Sequence, residues 1–394
     1  MNHSFRIATI RGIPIAIDAS WVIVFALFLW SFAASYYPDR YPGWTTQGYY
    51  AAGLVTVTLF FAAVIAHELG HALTAARLGI RTRRITLLPI GGLSEIEREP
   101  DRPAQEFAVA IAGPATSLLL GALFFGLYAL VDPFSVPLGG IAAYLGMANF
   151  ALALFNLIPG YPLDGGRVLR ALIWRATGSY GRSTRIAAGV GSAIAYGFIV
   201  GGVILLFNGY LANGVILAFI GWFVLMGAQG SVQQLTLQQE LAGVTIGQVM
   251  TRDFASVGAG ATLAQVVEEV LLAHNVRVGA VEQGGRFIGL VTLGDVARVP
   301  QDLWAETRVE AVMVPLALLV CAMPGDRVLT ALERIQDRDF NQLPVVADGR
   351  IVGLLTRTDL LRFMQLRAAL HLSPTAGDGR RPPQSLDAMS QSIG

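Results

Sequence analysis

The stretch Gly53-Leu-Val-Thr-Val-Thr-Leu-Phe-Phe-Ala-Ala-Val-Ile-Ala-His67-Glu68-Leu69-Gly70-His71 decides how this chain is read. A run apolar enough for the interior of a bilayer ends abruptly in three ionisable side chains. Ionisable groups inside a membrane span are costly and seldom idle. Residues i and i+4 of a helix lie one turn apart on the same face. Two imidazoles at that spacing can reach one Zn²⁺, while the glutamate between them serves as a base toward a water on the ion. The five-residue pattern alone is common by chance, and two histidines can simply be hydrogen-bonded between helices. Its place at the end of an apolar run makes it specific, and two of the chain's five histidines stand in it.

Outward from this stretch, the 394 residues are 54% hydrophobic and 14% charged, where an ordinary soluble domain is roughly one quarter charged. The deficit is confined to residues 15–230; residues 245–365 have the composition of a soluble domain, which puts a boundary near 230–244. A span needs about 20 mostly apolar residues, and six segments qualify: roughly 16–36, 50–76, 106–130, 138–158, 186–207 and 211–230. Arg6 and Arg11 before an apolar run imitate a secretion signal, but the run from Ala16 to about Ala34 is long for one, so a retained first span is expected. The net charge of +1 gives no case for nucleic-acid binding, and Cys321, the only cysteine, excludes both an internal disulfide and a cysteine-ligated metal.

Cytoplasmic loops are enriched in basic residues. Arg6 and Arg11 precede the first span, further arginines from Arg77 to Arg102 separate the second from the third, and others from Arg167 to Arg185 separate the fourth from the fifth. The opposite loops hold only Arg40. Both termini are therefore expected in the cytoplasm, and topology accounts for these arginines without further function. In the fifth span, Gly197-Phe-Ile-Val-Gly201 suits close helix packing, and Gly113-Pro114 in the third suits either close backbone approach or a kink.

A catalytic zinc site usually has three protein ligands and one open position. The fourth span ends in Asn156-Leu-Ile-Pro159-Gly-Tyr-Pro162-Leu-Asp164-Gly165-Gly166-Arg167. By the topology above, the second and fourth spans end on the same side, so Asp164 can approach the histidine pair. Pro159 and Pro162 break the helix, and Gly165-Gly166 permit unusual backbone angles. The bland reading of Asp164 is a helix cap at the membrane boundary.

With both motifs quoted, the chain resembles the site-2 protease family of intramembrane zinc metalloproteases, through HELGH (67–71) and NxxPxxPLDGGR (156–167) in that order. The resemblance implies that His67, His71 and Asp164 bind one catalytic zinc and that Glu68 is the general acid–base. It implies that Asn156 helps to stabilise the oxyanion; an Asn at a helix end also simply satisfies backbone groups. The segment Arg84 to Glu97, with Pro89 and Gly91-Gly92, matches a membrane-associated hairpin or loop of the family. Gly91 and Gly92 are candidates for positioning an extended substrate by β-addition; an interfacial structural loop is the alternative. The implied substrate is a transmembrane segment of a membrane-anchored regulator such as an anti-sigma or pro-sigma factor.

The soluble half repeats itself. Val244-Thr-Ile-Gly-Gln-Val-Met250 returns as Thr307-Arg-Val-Glu-Ala-Val-Met313, and Phe287-Ile-Gly-Leu-Val-Thr-Leu-Gly-Asp295 as Ile351-Val-Gly-Leu-Leu-Thr-Arg-Thr-Asp359. Each copy reads as a short strand, a helix (263–273; 328–338), two strands (277–282 and 287–292; 342–346 and 351–355) and a closing helix. This resembles a tandem pair of CBS domains. The resemblance implies a regulatory adenine nucleotide (ATP, ADP or AMP) in the cleft, held through Thr292, Asp295, Thr356 and Asp359, although Thr and Asp at these places also cap the closing helices. A homodimer through the CBS pair is a further expectation.

The fold expected is thus a polytopic α-helical membrane protein of about six transmembrane helices followed by a soluble α/β tandem CBS module. The expected domains are a transmembrane zinc metalloprotease domain at 1–232, CBS repeats at about 244–300 and 307–365, and a disordered tail at 366–394. A CBS-regulated transporter or channel, or an inactive membrane adaptor, shares the layout; neither requires HELGH together with the Asp164 motif.

Overall fold

The structure is a computed structural model describing residues 4–88, 91–96, 98–331 and 342–370. The chain divides into two compact units between Leu235 and Thr236.

The first unit opens with a hairpin of β1 (Ser4–Ile10) and β2 (Ile13–Asp18), turned at Arg11 and Gly12, both with positive φ, as tight hairpin turns require. The first span therefore starts later than residue 16: helix α1 runs Trp21–Arg40 through a π-helical turn at Phe32–Tyr36. Helix α2 (Thr46–Arg77) is capped by Thr45, whose hydroxyl accepts from the Gly48 amide. Strands β3 (Thr82–Leu88) and β4 (Gly91–Ile96) follow, completing a sheet in the order β1-β2-β3-β4. Only the β2–β3 pairing is parallel, with Ile15 opposite Ile85.

Helices α3 (Pro103–Val131), α4 (Val136–Asn156), α5 (Asp164–Thr177), α6 (Tyr180–Phe207) and α7 (Leu211–Leu241) follow, the last turns of α7 lying past the boundary. All but α5, together with α1 and α2, make six helices long and apolar enough to cross a membrane among the described residues. Backbone approach in the α6–α7 pair is closest one residue beyond the Gly197–Gly201 motif. A Cβ on Gly202 would lie 2.6 Å from Ala218 N and 2.7 Å from Gly214 O, whereas one on Gly197 would meet nothing within 4 Å.

The second unit carries the repeat. Strands β5 (Ser256–Gly258), β6 (Val278–Gln283), β7 (Arg286–Thr292) and β8 (Val314–Pro315) form one sheet; β9 (Gln342–Ala347) and β10 (Arg350–Thr356) form another. The β6–β7 turn at Gly284-Gly285 and the β9–β10 turn at Asp348-Gly349 share positive φ at both central residues. The helix expected at 263–273 is one α turn continued as a π-helix through Val266–Leu272. Most of the helix expected at 328–338 lies outside the described residues. The closing helix Arg357–Ala369 runs past 365, and the tail beyond 370 lies outside the described residues.

Candidate metal centre

The two imidazoles are gripped from behind by one face of α3. His71 Nδ1 lies 2.7 Å from the Val109 carbonyl oxygen. A carbonyl only accepts, so Nδ1 carries a proton, and in the neutral ring Nε2 is then free to ligate. His67 Nδ1 is hydrogen-bonded to the Ser117 hydroxyl at 2.9 Å. The two Nε2 atoms then face each other across 3.3 Å, and Asp164 Oδ2 sits 3.2 Å from each. Lone pairs and a carboxylate brought this close repel unless positive charge lies among them.

This arrangement fits zinc. Donors about 2.0–2.1 Å from a tetrahedral ion stand about 3.3 Å from one another, close to the separations seen. Two imidazoles and one carboxylate are a donor set of catalytic zinc, with the fourth position open. The partners behind the rings fix tautomer and orientation, as in metal sites generally. Room beside both Nε2 atoms is secured by Gly113: a Cβ there would lie 2.1 Å from His71 Nε2 and 2.7 Å from His67 Nε2. All three donor residues are buried.

Asp164 is the first residue of α5, where the helix dipole favours a carboxylate. Gly165 and Gly166 serve it differently from the expectation of unusual angles. Both lie within α5 with ordinary φ, and what they permit is close approach: a Cβ on Gly165 would come 2.3 Å from Leu157 O, and one on Gly166 2.3 Å from Tyr161 N. The turn leaving α4 can thereby fold over the first turn of α5.

Glu68 follows His67 on α2 and meets the sheet. The Ser94 hydroxyl donates to its Oε2 at 2.7 Å. A Cβ on Gly92 would lie 2.3 Å from Glu68 Cγ, so β4 lies directly on this side chain. Gly91 opens β4 opposite Leu88. Asn156, the last residue of α4, donates from Nδ2 to the Leu152 carbonyl at 3.0 Å; among the described residues no hydrogen bond joins it to the histidine–aspartate cluster.

In the second unit, Thr292 and Asp295 bond reciprocally at one helix start, and Thr356 and Asp359 do the same at the other. These are capping boxes. Asp359 Oδ1 also accepts from the Thr251 hydroxyl at 2.6 Å.

The sequence reading missed Ser94, Ser117 and the Val109 carbonyl, and took Gly113 only as a packing residue. Ser117 had a signal: Glu106, Val109, Gly113 and Ser117 share one helical stripe, which carries polar groups inside an apolar span. The expectation that topology alone accounts for the arginines is also corrected. Arg170 is buried, 4% exposed, and paired with Glu106.

The model of peptidase family M50 matches residues 55–137 and 134–198. A protein of Synechocystis named as a zinc metalloprotease is 32% identical over 374 residues, 94% of this chain and 97% of the relative. The chain belongs to peptidase family M50. A second relative, Rip3 of Mycobacterium tuberculosis, also named as a zinc metalloprotease, is 30% identical over 394 residues, 99% of both chains. The CBS domain model matches 246–302 and 310–366. Among solved structures, the site-2 protease of Methanocaldococcus jannaschii is similar at 31% identity over 58% of this chain and 95% of that one, with a TM-score of 0.40. The protein is thus a zinc metalloprotease of the site-2 protease type, a multi-pass membrane protein with a tandem CBS pair.

Proposed function

We propose that this M50 protease is an intramembrane endopeptidase that cuts transmembrane segments of membrane-anchored regulatory proteins. In this reading His67, His71 and Asp164 hold the zinc and Glu68 is the general acid–base. One observation carries the reading. Three atoms able to ligate a metal, His67 Nε2, His71 Nε2 and Asp164 Oδ2, meet within 3.3 Å of one another beside Glu68, on a helix long enough to cross a bilayer.

When bound, zinc supplies a Lewis acid that acidifies water and polarises the scissile carbonyl. Glu68 takes the proton of the attacking water and passes it to the leaving amine. Ser94, bonded to Oε2, orients the carboxylate for both transfers. Asn156 donates to the developing oxyanion, for which its amide leaves the Leu152 carbonyl. The substrate segment unwinds and adds to β4, the last strand of its sheet; Gly91 and Gly92 let the peptide come close to Glu68. The resemblance to site-2 proteases supports anti-sigma or pro-sigma factors as substrates, and the arginine distribution supports cytoplasmic termini with water entering from that side.

The CBS pair acts as a cytosolic regulator that binds ATP, ADP or AMP through Thr292, Asp295, Thr356 and Asp359, and pairs with a second copy. Ribose hydroxyls would share carboxylates that already cap their helices.

The test is zinc content together with cleavage of a panel of single-span peptides in detergent, for wild type and Glu68→Gln. About one zinc in each protein, with cleavage only by wild type and a drop of about 10²–10⁴-fold in the variant, is the expected result. Zinc-free, inert wild type purified without chelators would overturn the reading and favour a transporter or adaptor.

A further inference from the structure

Arg170 stands less than two turns along α5 from Asp164, inside the protein and not at its surface. Its Nε donates to Glu106 Oε1 at 2.6 Å, and Nη2 donates to the same oxygen. Nη1 donates to the Tyr180 hydroxyl at 2.7 Å, and that hydroxyl donates to Glu99 Oε2 at 2.5 Å. The guanidinium also lies over the rings of Tyr161 and Tyr180, 4.9 and 4.7 Å from their centroids. Burial alone would ease the proton off Arg170, but Tyr161 and Glu106 hold its pKa above the ordinary value, so the guanidinium stays charged at any working pH.

Glu106 is 0% exposed and lies on the α3 face that builds the metal centre. Val109 and Ser117 on that face hold the two imidazoles, and Gly113 leaves room beside them. Glu106 holds the helix that begins with Asp164. Through Tyr161, Arg170 also reaches the turn that precedes Asp164. All three donor side chains are thus referred to a single helix face, two directly and the third through this ion pair.

We propose that Arg170 is a positioning residue of the metal centre: its buried pair with Glu106 locks α5 against α3 so that the Asp164 carboxylate meets His67 and His71. A buried ion pair is a poor source of stability compared with apolar packing of the same volume. What it supplies is direction: Nε and Nη2 on one Glu106 oxygen set the separation of the two helices, and Nη1 on the Tyr180 hydroxyl fixes how the guanidinium is turned about that point. A ligand carried at a helix start needs that, because small turns of the helix move the carboxylate away from a site that tolerates little misplacement.

The inference rests on the assignment of His67, His71 and Asp164 as zinc ligands. The full-length protein is compared in detergent as wild type, Glu106→Gln/Arg170→Met, Arg170→Lys and Asp164→Asn. The double substitution removes both charges at similar volume, so no lone charge is left buried. Thermal unfolding checks the fold, competition with a chelator gives zinc affinity, and the visible spectrum of the cobalt-substituted protein reports donor geometry. The double variant is expected to unfold near the wild-type temperature and to bind zinc more weakly by about 10–100-fold, the usual effect of disturbing groups behind a metal ligand. Its cobalt bands should shift, with Arg170→Lys in between. A folded double variant with wild-type affinity and an unchanged cobalt spectrum overturns the proposal and leaves the pair as a fold fastener only. If the double variant does not fold, Arg170→Lys decides on the same two readouts. Unchanged zinc binding by Asp164→Asn is a separate outcome: it sinks the ligand assignment itself, and the proposal with it.

Discussion

Gly113→Ala would place a carbon 2.1 Å from His71 Nε2 and 2.7 Å from His67 Nε2. No rotamer relieves a Cβ, so the variant is expected to fold, insert and lose its zinc, read as metal content against wild type; full zinc would show that Gly113 does not border the ion. Glu68→Gln should fail in the opposite order, with metal kept and turnover lost, so the pair separates room for the ion from proton transfer. That HELGH and Asp164 come together was legible at this scale because the proposed chemistry belongs to their own side chains. The Val109 carbonyl was not, since any residue at that place offers the same oxygen. Arg170 was misread for a different reason. Arginine near a membrane surface already has a sufficient explanation in topology, and nothing in the string marks which arginine turns inward to Glu106.

Strand β4 lies against Glu68 so closely that Gly92→Val has no room beside Glu68 Cγ. Since Gly92 lies beside Glu68, the proposed acid–base, the variant should keep zinc and lose cleavage; wild-type turnover would remove β4 from the reaction. The α6–α7 contact gives a stability prediction. Gly202→Leu forces a side chain into the backbone of Gly214 and Ala218 and should cost about 1–3 kcal/mol, as overpacking does, seen as a lower unfolding temperature in detergent. The membrane helices were legible in number and place because length and apolarity are what a bilayer selects, but not in their ends: α6 begins at Tyr180, before the expected 186, and α7 runs on to Leu241, past the expected 230. The N-terminal hairpin was not legible. Ile13, Ile15 and Ile17 alternate with Pro14, Ala16 and Asp18, a strand pattern, but it abuts a span and the two merge into one apolar run. Strands β6, β7, β9 and β10 were legible to within a residue, because the sequence states their pattern twice; the short β5 and β8 were not given bounds.

The tandem CBS pair invites a test on the intact protein. Asp295→Ala and Asp359→Ala are expected to weaken binding of ATP, ADP or AMP, measured by calorimetry, and to abolish any effect of nucleotide on cleavage. Absence of binding by wild type at millimolar nucleotide would leave the two carboxylates as helix caps only. Sequence made the two-unit plan plain through composition, yet could not say that one face of α3 organises the metal centre, because that depends on which faces of distant helices meet. The depth of the site has its own consequence. His67 stands ten residues before Arg77, the end of α2, hence about 15 Å from it. With Arg77 at the water boundary, a substrate cut at that level keeps on the near side at most on the order of ten apolar residues, half of what holds a chain across a bilayer. If the proposed intramembrane cleavage holds, that piece would lose its tether while the other remains embedded, so a single scission would turn an anchored protein into one free to leave the membrane.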